Sequence, residues 1–112
     1  MGPYSQAVEV NGTLFISGQV PVNPESGKMA GGGIREQTEQ VMKNIGAILE
    51  AAGYGFEDVV KSTCLLSTMD DFGAMNEVYA RYYKENQPAR AAFAVKSLPL
   101  GALVEIESVA VK

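Results

Sequence analysis

The chain has 112 residues, 46% hydrophobic and 20% charged, so we expect one globular domain over residues 1–112. Its formal net charge of -4 argues against a nucleic-acid partner, because binding to the phosphate backbone depends largely on lysine and arginine. No apolar run approaches the ~20 residues of a membrane span, which argues against a membrane partner, and a single cysteine cannot form an internal disulfide. A cytoplasmic location is therefore the default expectation.

Two short β-strands are predicted first. Apolar, aromatic and β-branched residues run over Tyr4–Val10 and Thr13–Ser17, and the dipeptide at 11–12, Asn-Gly, is a strong hairpin signal. A turn-rich stretch follows at 21–27. The three glycines at 31–33 lack the lysine and the spacing of a phosphate-binding loop, so we interpret them as structural.

Two amphipathic helices are predicted next, with a strand between them. Apolar residues recur at helical period from Ile34 to Ala52, and Gly53 is expected to end this helix. The run from Val59 to Ser67 is typical of a strand. A second helix should follow, capped by Asp70 and Asp71. Its buried stripe is predicted to contain Phe72, Met75, Tyr79 and Tyr82 or Tyr83.

The last two predicted strands run from Arg90 to Val95 and from Leu103 to Val111. The order strand, strand, helix, strand, helix, strand, strand predicts an α+β fold, a mixed sheet with both helices packed on one face. Two short helices cannot cover both faces of such a sheet. We therefore expect the other face to be buried against identical subunits, with ligand sites at the seams between them.

Arg90 is a candidate functional residue because it begins an otherwise apolar strand. A guanidinium presents donors in a plane that grips a carboxylate or phosphate through two hydrogen bonds, so we interpret Arg90 as an anion clamp. In a regular strand, Ala92 and Ala94 share its face and leave room for a small ligand. The alternative is a structural ion pair between Arg90 and an acid on a neighbouring strand.

Glu105 is the second candidate. Glu105 and Glu107 share a face of the last strand, and one of these carboxylates is expected within reach of Arg90, either as its ion partner or in catalysis. The chain has no histidine, which excludes a Ser-His-Asp or Cys-His device and a histidine-ligated metal within one chain. The remaining groups suit the addition of water to a reactive small molecule, with no cofactor.

Several segments together resemble one known family. The run from Pro88 to Leu98, PARAAFAVKSL, and the later Val-Glu-Ile at 104–106 resemble the signature of the RidA (YjgF) family of reactive-intermediate imine deaminases, many of which are also labelled endoribonuclease L-PSP. The Gly-Pro-Tyr block at 2–4, the run SGQVPV at 17–22 and the segment 71–76 match further family blocks. The resemblance therefore extends over nearly the whole chain.

The resemblance implies a chorismate-mutase-like fold assembled as a homotrimer, with clefts between subunits. It implies a 2-iminobutanoate/2-iminopropanoate deaminase-type hydrolase, which converts enamines and imines of the 2-aminoacrylate type to 2-keto acids and ammonia. Arg90 would hold the substrate carboxylate and Glu105 would position or activate water. The other residues that the resemblance places in the cleft are Tyr4, Ser17, Gly18, Asn76 and Ala92.

This chain departs from the family pattern in two ways. Many members carry cysteine at the position of Ala92, so any role of that thiol is lost here. Relatives also usually have residues upstream of the block at 2–4, so we expect Tyr4 to be the least firmly anchored site residue.

Two other functions stay open. One is a module that binds keto or carboxylic acids without chemistry, and the other is a ribonuclease or translation inhibitor.

Overall fold

The computed structural model describes residues 3–112, so Gly2 of the first family block lies outside the described residues. These residues form five strands and two α-helices. In chain order they are β1 (Ala7–Val10), β2 (Thr13–Gln19), α1 (Ile34–Ala52), β3 (Val59–Leu66), α2 (Phe72–Ala80), β4 (Ala89–Ala94) and β5 (Val104–Val111). The order of these elements is the predicted one, with ends that differ by a few residues.

The five strands form one mixed sheet in the order β1-β2-β5-β3-β4. The pair β3–β4 is parallel, and the other three pairs are antiparallel. Alternate residues of the inner strands, such as Leu66, Val104 and Ile106, join residues of both helices in one buried cluster. Both helices therefore pack on the same face of the sheet, and the predicted α+β class is confirmed.

Helix α1 begins and ends where the sequence predicts. The carboxylate of Glu36 accepts a hydrogen bond from the Gly33 amide at 2.9 Å, and Gly53 ends the helix at a φ of 83°, which favours glycine. The helix also buries Gln37, which the apolar pattern missed. Gln37 Oε1 accepts a hydrogen bond from the Leu103 amide at 2.9 Å and so ties α1 to the start of β5.

Most of the predicted stripe of α2 is buried, with Phe72 only partly so, and the predicted cap is not formed. Met75, Tyr79 and Tyr83 are buried, although α2 ends at Ala80. Asp71 occupies the N-cap position of α2, but its side chain makes no capping hydrogen bond there, so the prediction that the Asp70 and Asp71 side chains cap this helix is wrong. A short 3-10 turn precedes it, and there the Thr68 hydroxyl accepts a hydrogen bond from the Asp70 amide at 3.2 Å.

The face of the sheet opposite the helices is apolar and open. Val8 and Phe15 are cross-strand neighbours on β1 and β2, and both are about 50% exposed. Phe93 of β4 is 48% exposed. The predicted uncovered face is therefore confirmed, whereas its burial against identical subunits stays a prediction. None of the helices in residues 3–112 combines the length and the apolar character needed to cross a bilayer.

Candidate active site

Arg90 lies on the helix side of β4, which is an edge strand. It pairs with Ser62 of β3, which is fully buried beneath the helices. Asn76 of α2 accepts a hydrogen bond from Arg90 Nη1 at 2.6 Å. The guanidinium carbon lies 5.4 Å from the ring centre of Phe72 and 4.9 Å from that of Tyr79, within the range of cation–π attraction.

A cavity of about 420 Å³ opens beside the guanidinium. Besides Arg90 it is lined by Asn76, Tyr79, Ala80, Tyr83, Gln87 and Pro88. No Asp or Glu side chain in residues 3–112 forms an ion pair with Arg90, and its partner is the neutral amide of Asn76. The alternative of a structural ion pair within the chain is therefore wrong, and the charge of Arg90 faces a space that can hold an anion.

Ala92 shares the helix-side face with Arg90 and is partly buried. Its cross-strand neighbour on β3 is Cys64, the one cysteine of the chain. Cys64 is fully buried, and burial raises the pKa of its thiol to about 11. A protonated, inaccessible thiol is a poor nucleophile, so Cys64 does not replace the cysteine that many family members carry at the position of Ala92.

Glu105 lies on the opposite, open face of the sheet. It pairs with Leu65 of β3, whereas Arg90 pairs with Ser62. Positions 62 and 65 are an odd number of residues apart in one strand, so their neighbours point to opposite faces. The expectation that Glu105 lies within reach of Arg90 in the same chain is therefore wrong.

A second cavity, of about 490 Å³, surrounds Glu105. Its other lining residues are Tyr4, Ser17, Gly18, Val20, Pro99 and Glu107. Partial burial raises the pKa of Glu105 above its ordinary value of 4.5, and the nearby Glu107 charge adds to this rise. Both effects make Glu105 a better proton acceptor than an ordinary surface glutamate.

Gly18 leaves the space that the Glu105 carboxylate occupies. A methyl group on Gly18 would overlap Glu105 Oε2 and lie 2.9 Å from Cδ. Any larger residue at this position would therefore push the carboxylate away. Gly18 therefore contributes to the site because it has no side chain.

Ser17 of β2 forms two hydrogen bonds with the N-terminal segment. Its hydroxyl donates a hydrogen bond to the Ser5 carbonyl at 2.6 Å, and its amide donates to the Gln6 carbonyl at 2.9 Å. These two bonds hold the segment that carries Tyr4 beside the Glu105 cavity, although the Tyr4 side chain is 52% exposed. The Ser17 hydroxyl proton is bound to the backbone, but its lone pairs remain able to accept a hydrogen bond.

The site residues from the sequence therefore form two groups in one chain. Arg90, Asn76 and Ala92 lie on the helix side, and Tyr4, Ser17, Gly18 and Glu105 surround the cavity on the open side. The sequence reasoning missed the contacts of Phe72 and Tyr79 with Arg90, because it assigned both rings to packing. Within residues 3–112, no three His, Cys, Asp or Glu side chains come close enough together to hold a metal ion.

The family model described as endoribonuclease L-PSP matches residues 1–112. The chain belongs to the endoribonuclease L-PSP family, which also contains the RidA and YjgF proteins. This confirms the family that the sequence motifs indicate.

Named relatives from this family are similar over nearly their full length. The chain is 53% identical over 112 residues to the 2-iminobutanoate/2-iminopropanoate deaminase of Mus musculus, covering 100% of this chain and 83% of the relative. RidA from a Psychrobacter species superposes with a TM-score of 0.95 at 47% identity, covering 99% of this chain and 89% of that one. Escherichia coli TdcF, solved with bound serine, superposes with a TM-score of 0.94 at 35% identity, covering 100% of this chain and 90% of that one.

Proposed function

We propose that this protein hydrolyses imines and enamines of the 2-aminoacrylate type to 2-keto acids and ammonia. The observation that carries the proposal is the Arg90 guanidinium, which faces a cavity and has no acidic partner among residues 3–112. Family members at about 50% identity are named as deaminases of 2-iminobutanoate and 2-iminopropanoate, which both carry a carboxylate beside the imine. No cofactor takes part in the proposed reaction.

Arg90 is assigned the substrate carboxylate. Asn76 occupies one N–H of Nη1, which leaves a free edge of the guanidinium for two parallel hydrogen bonds to the carboxylate oxygens. Backbone groups near Ala92 follow Arg90 along β4 and would hold water or product. The bound serine in TdcF carries the same carboxylate group, which supports an amino-acid-like ligand for this family.

Glu105 is assigned the proton transfers. It takes a proton from water while the water oxygen bonds to the carbon of the protonated imine, and the resulting intermediate carries a hydroxyl and an amine on one carbon. Glu105 returns this proton to the nitrogen, and the carbon–nitrogen bond breaks. Ammonia leaves as the hydroxyl proton passes to Glu105 and the keto group forms. The raised pKa of Glu105 suits a group that must both accept and return a proton near neutral pH.

A homotrimer with three clefts is part of the proposal, because one chain keeps Arg90 and Glu105 on opposite faces of its sheet. Arg90 sits on the edge strand β4, and Glu105 sits on the open face that also carries Phe15 and Phe93. A neighbouring chain that covers this face would bring its own edge strand to the Glu105 cavity. Tyr4, Ser17 and Gly18 would then line the cleft together with Asn76 and Ala92. A cytoplasmic location belongs to the same proposal.

A coupled assay tests the activity. An amino-acid oxidase generates the imine, semicarbazide traps what remains, and the protein should lower the trapped fraction in proportion to its concentration. Arg90→Ala should abolish this effect while the oligomer stays assembled, and Arg90→Lys should restore little, because lysine keeps the charge but loses the planar fork. Native turnover by Arg90→Ala would contradict the assignment. Binding of 2-oxobutanoate without any imine turnover would favour the binding module instead.

A further inference from the structure

Helix α2 presents three side chains to Arg90 from one face. Phe72, Asn76 and Tyr79 stand at positions i, i+4 and i+7, which lie one above the other on a helix. Asn76 binds Nη1 at 2.6 Å, and the two ring centres lie 5.4 and 4.9 Å from the guanidinium carbon. The contacts of the two rings are additional to the packing role that their spacing predicts.

We propose that Phe72 and Tyr79 are positioning residues that fix the plane of the Arg90 guanidinium and so turn its free N–H edge toward the cavity. A hydrogen bond from one nitrogen leaves the guanidinium free to rotate about that bond. Ring faces remove this freedom, because a flat cation is attracted to the aromatic face. The inference rests on the proposed function for the role of Arg90, but the geometry it describes is independent of turnover.

The ring of Tyr79, and not its hydroxyl, carries this role. Tyr79 is 5% exposed, and its hydroxyl forms no hydrogen bond of normal length and angle among residues 3–112, although the Ser62 hydroxyl lies near it. Burial raises the pKa of the Tyr79 hydroxyl, so the ring carries no charge at neutral pH. Removing the oxygen alone should therefore leave Arg90 in place, whereas removing the aromatic face should release it.

A released Arg90 must be ordered again each time a carboxylate binds. Ordering one long side chain weakens binding, so KM for the imine should rise about tenfold, which equals ~1.4 kcal/mol. The rate constant kcat should change less, because the water and Glu105 are unaffected. A change that merely destabilises the fold would lower the amount of active protein and leave KM unchanged.

Four variants separate these possibilities. Tyr79→Leu and Phe72→Leu each remove one aromatic face, and Phe72 is only partly buried, so its variant tests the inference even if Tyr79→Leu fails to fold. Tyr79→Phe keeps the ring. Tyr82→Leu is the matched control, because Tyr82 packs against Phe56 with 5.1 Å between ring centres, outside the Arg90 cavity.

The measurements are KM and kcat in the imine assay and the NMR signal of the Arg90 Nε–H group. Protons held over aromatic faces are shifted upfield, and 2-oxobutanoate titrated into each variant reports carboxylate binding without turnover. Both leucine variants at Phe72 and Tyr79 should raise KM about tenfold, weaken 2-oxobutanoate binding to a similar degree and lose part of the upfield shift. Tyr82→Leu should keep all three wild-type values, and Tyr79→Phe should keep the upfield shift of Arg90, because the ring remains.

Two results would overturn the inference. One is an unchanged Arg90 signal and KM in the leucine variants that fold, and the other is a Tyr79→Phe variant that loses as much of the upfield shift as Tyr79→Leu. Failure of the proposed function gives a different pattern. In that case the wild-type protein removes no imine, while the Arg90 shift and its loss in the leucine variants persist.

Discussion

Two inactive variants should restore each other's activity if each cleft takes Arg90 from one chain and Glu105 from another. The register of the sheet motivates this prediction, because it places the two side chains on opposite faces of a single chain. Arg90→Ala lacks the carboxylate clamp, and Glu105→Gln lacks the proton acceptor. Each variant alone should be nearly inactive, since every cleft it forms is damaged.

The size of the recovery follows from counting chains. After equal amounts of the two variants are unfolded together and refolded, about half of the clefts receive a native Arg90 and, independently, about half receive a native Glu105. About one quarter of the clefts then hold both residues, so the mixture should reach about one quarter of the refolded wild-type rate. If one chain supplied both residues, no cleft in the mixture would be complete.

A second mixture sharpens the test. Wild-type protein mixed equally with the double variant Arg90→Ala/Glu105→Gln should give about one quarter of the wild-type rate for a shared cleft, but about one half for a site within one chain. Rates come from the semicarbazide assay, with each variant refolded alone as the background. Light scattering checks that all mixtures have the same mass. Background activity in the first mixture and half activity in the second would refute the shared cleft.

Further predictions concern the Glu105 cavity and the buried thiol. Gly18→Ala should lower kcat at least tenfold with little change in melting temperature, because the added methyl displaces only the end of the flexible Glu105 side chain; an unchanged kcat would show that the carboxylate position is unimportant. Glu107→Gln should move the acid limb of the pH–rate profile to lower pH, because removal of a negative charge lowers the pKa of Glu105 and keeps it deprotonated further into acid; a shift to higher pH would contradict this sign. Cys64 should not react with a disulfide reagent in the folded protein at pH 8 and should react fully in denaturant, since burial both shields the thiol and raises its pKa to about 11.

The helices were predictable because their determinants are local. In α1 the apolar period, the glycines before Ile34 and the left-handed Gly53 all belong to one short segment. The capped turn before α2 was missed although it is also local. Thr68 and the aspartates are all residue types that cap helices, and sequence alone does not show which of them begins the turn.

The faces of Arg90 and Glu105 were not predictable, because they depend on strands far apart in the chain. The alternation of side chains between the two faces is visible in the sequence within β4 and within β5. Which residues of β4 and β5 share a face depends on β3, because β3 pairs with both strands. A shift of either register by one residue would reverse the answer. Local patterns therefore identify the candidate residues but do not tell which of them meet.

Phe72 and Tyr79 show a second limit of pattern reading. Their helical spacing predicts buried packing, and Tyr79 is indeed buried. The same spacing places Asn76 between them on one face, and a polar residue inside an aromatic stripe is the signal that could have indicated a shared contact. One aromatic side chain can therefore pack in the hydrophobic core and also contact a functional residue.

In the proposed homotrimer, assembly and catalysis would be coupled through the charge of Glu105. Covering the open face would bury apolar side chains such as Phe15 and Phe93, which favours association, but it would also remove water from a carboxylate that is already partly desolvated. A neighbour that supplies only apolar surface would therefore leave a costly buried charge. Arg90 lies on the edge strand and forms no ion pair with an acidic side chain of the described chain. The Arg90 of a second copy would therefore provide a positive charge to balance the buried Glu105 carboxylate. The charges of Arg90 and Glu105, which would act on the substrate, would therefore also favour a second copy of this chain as the partner.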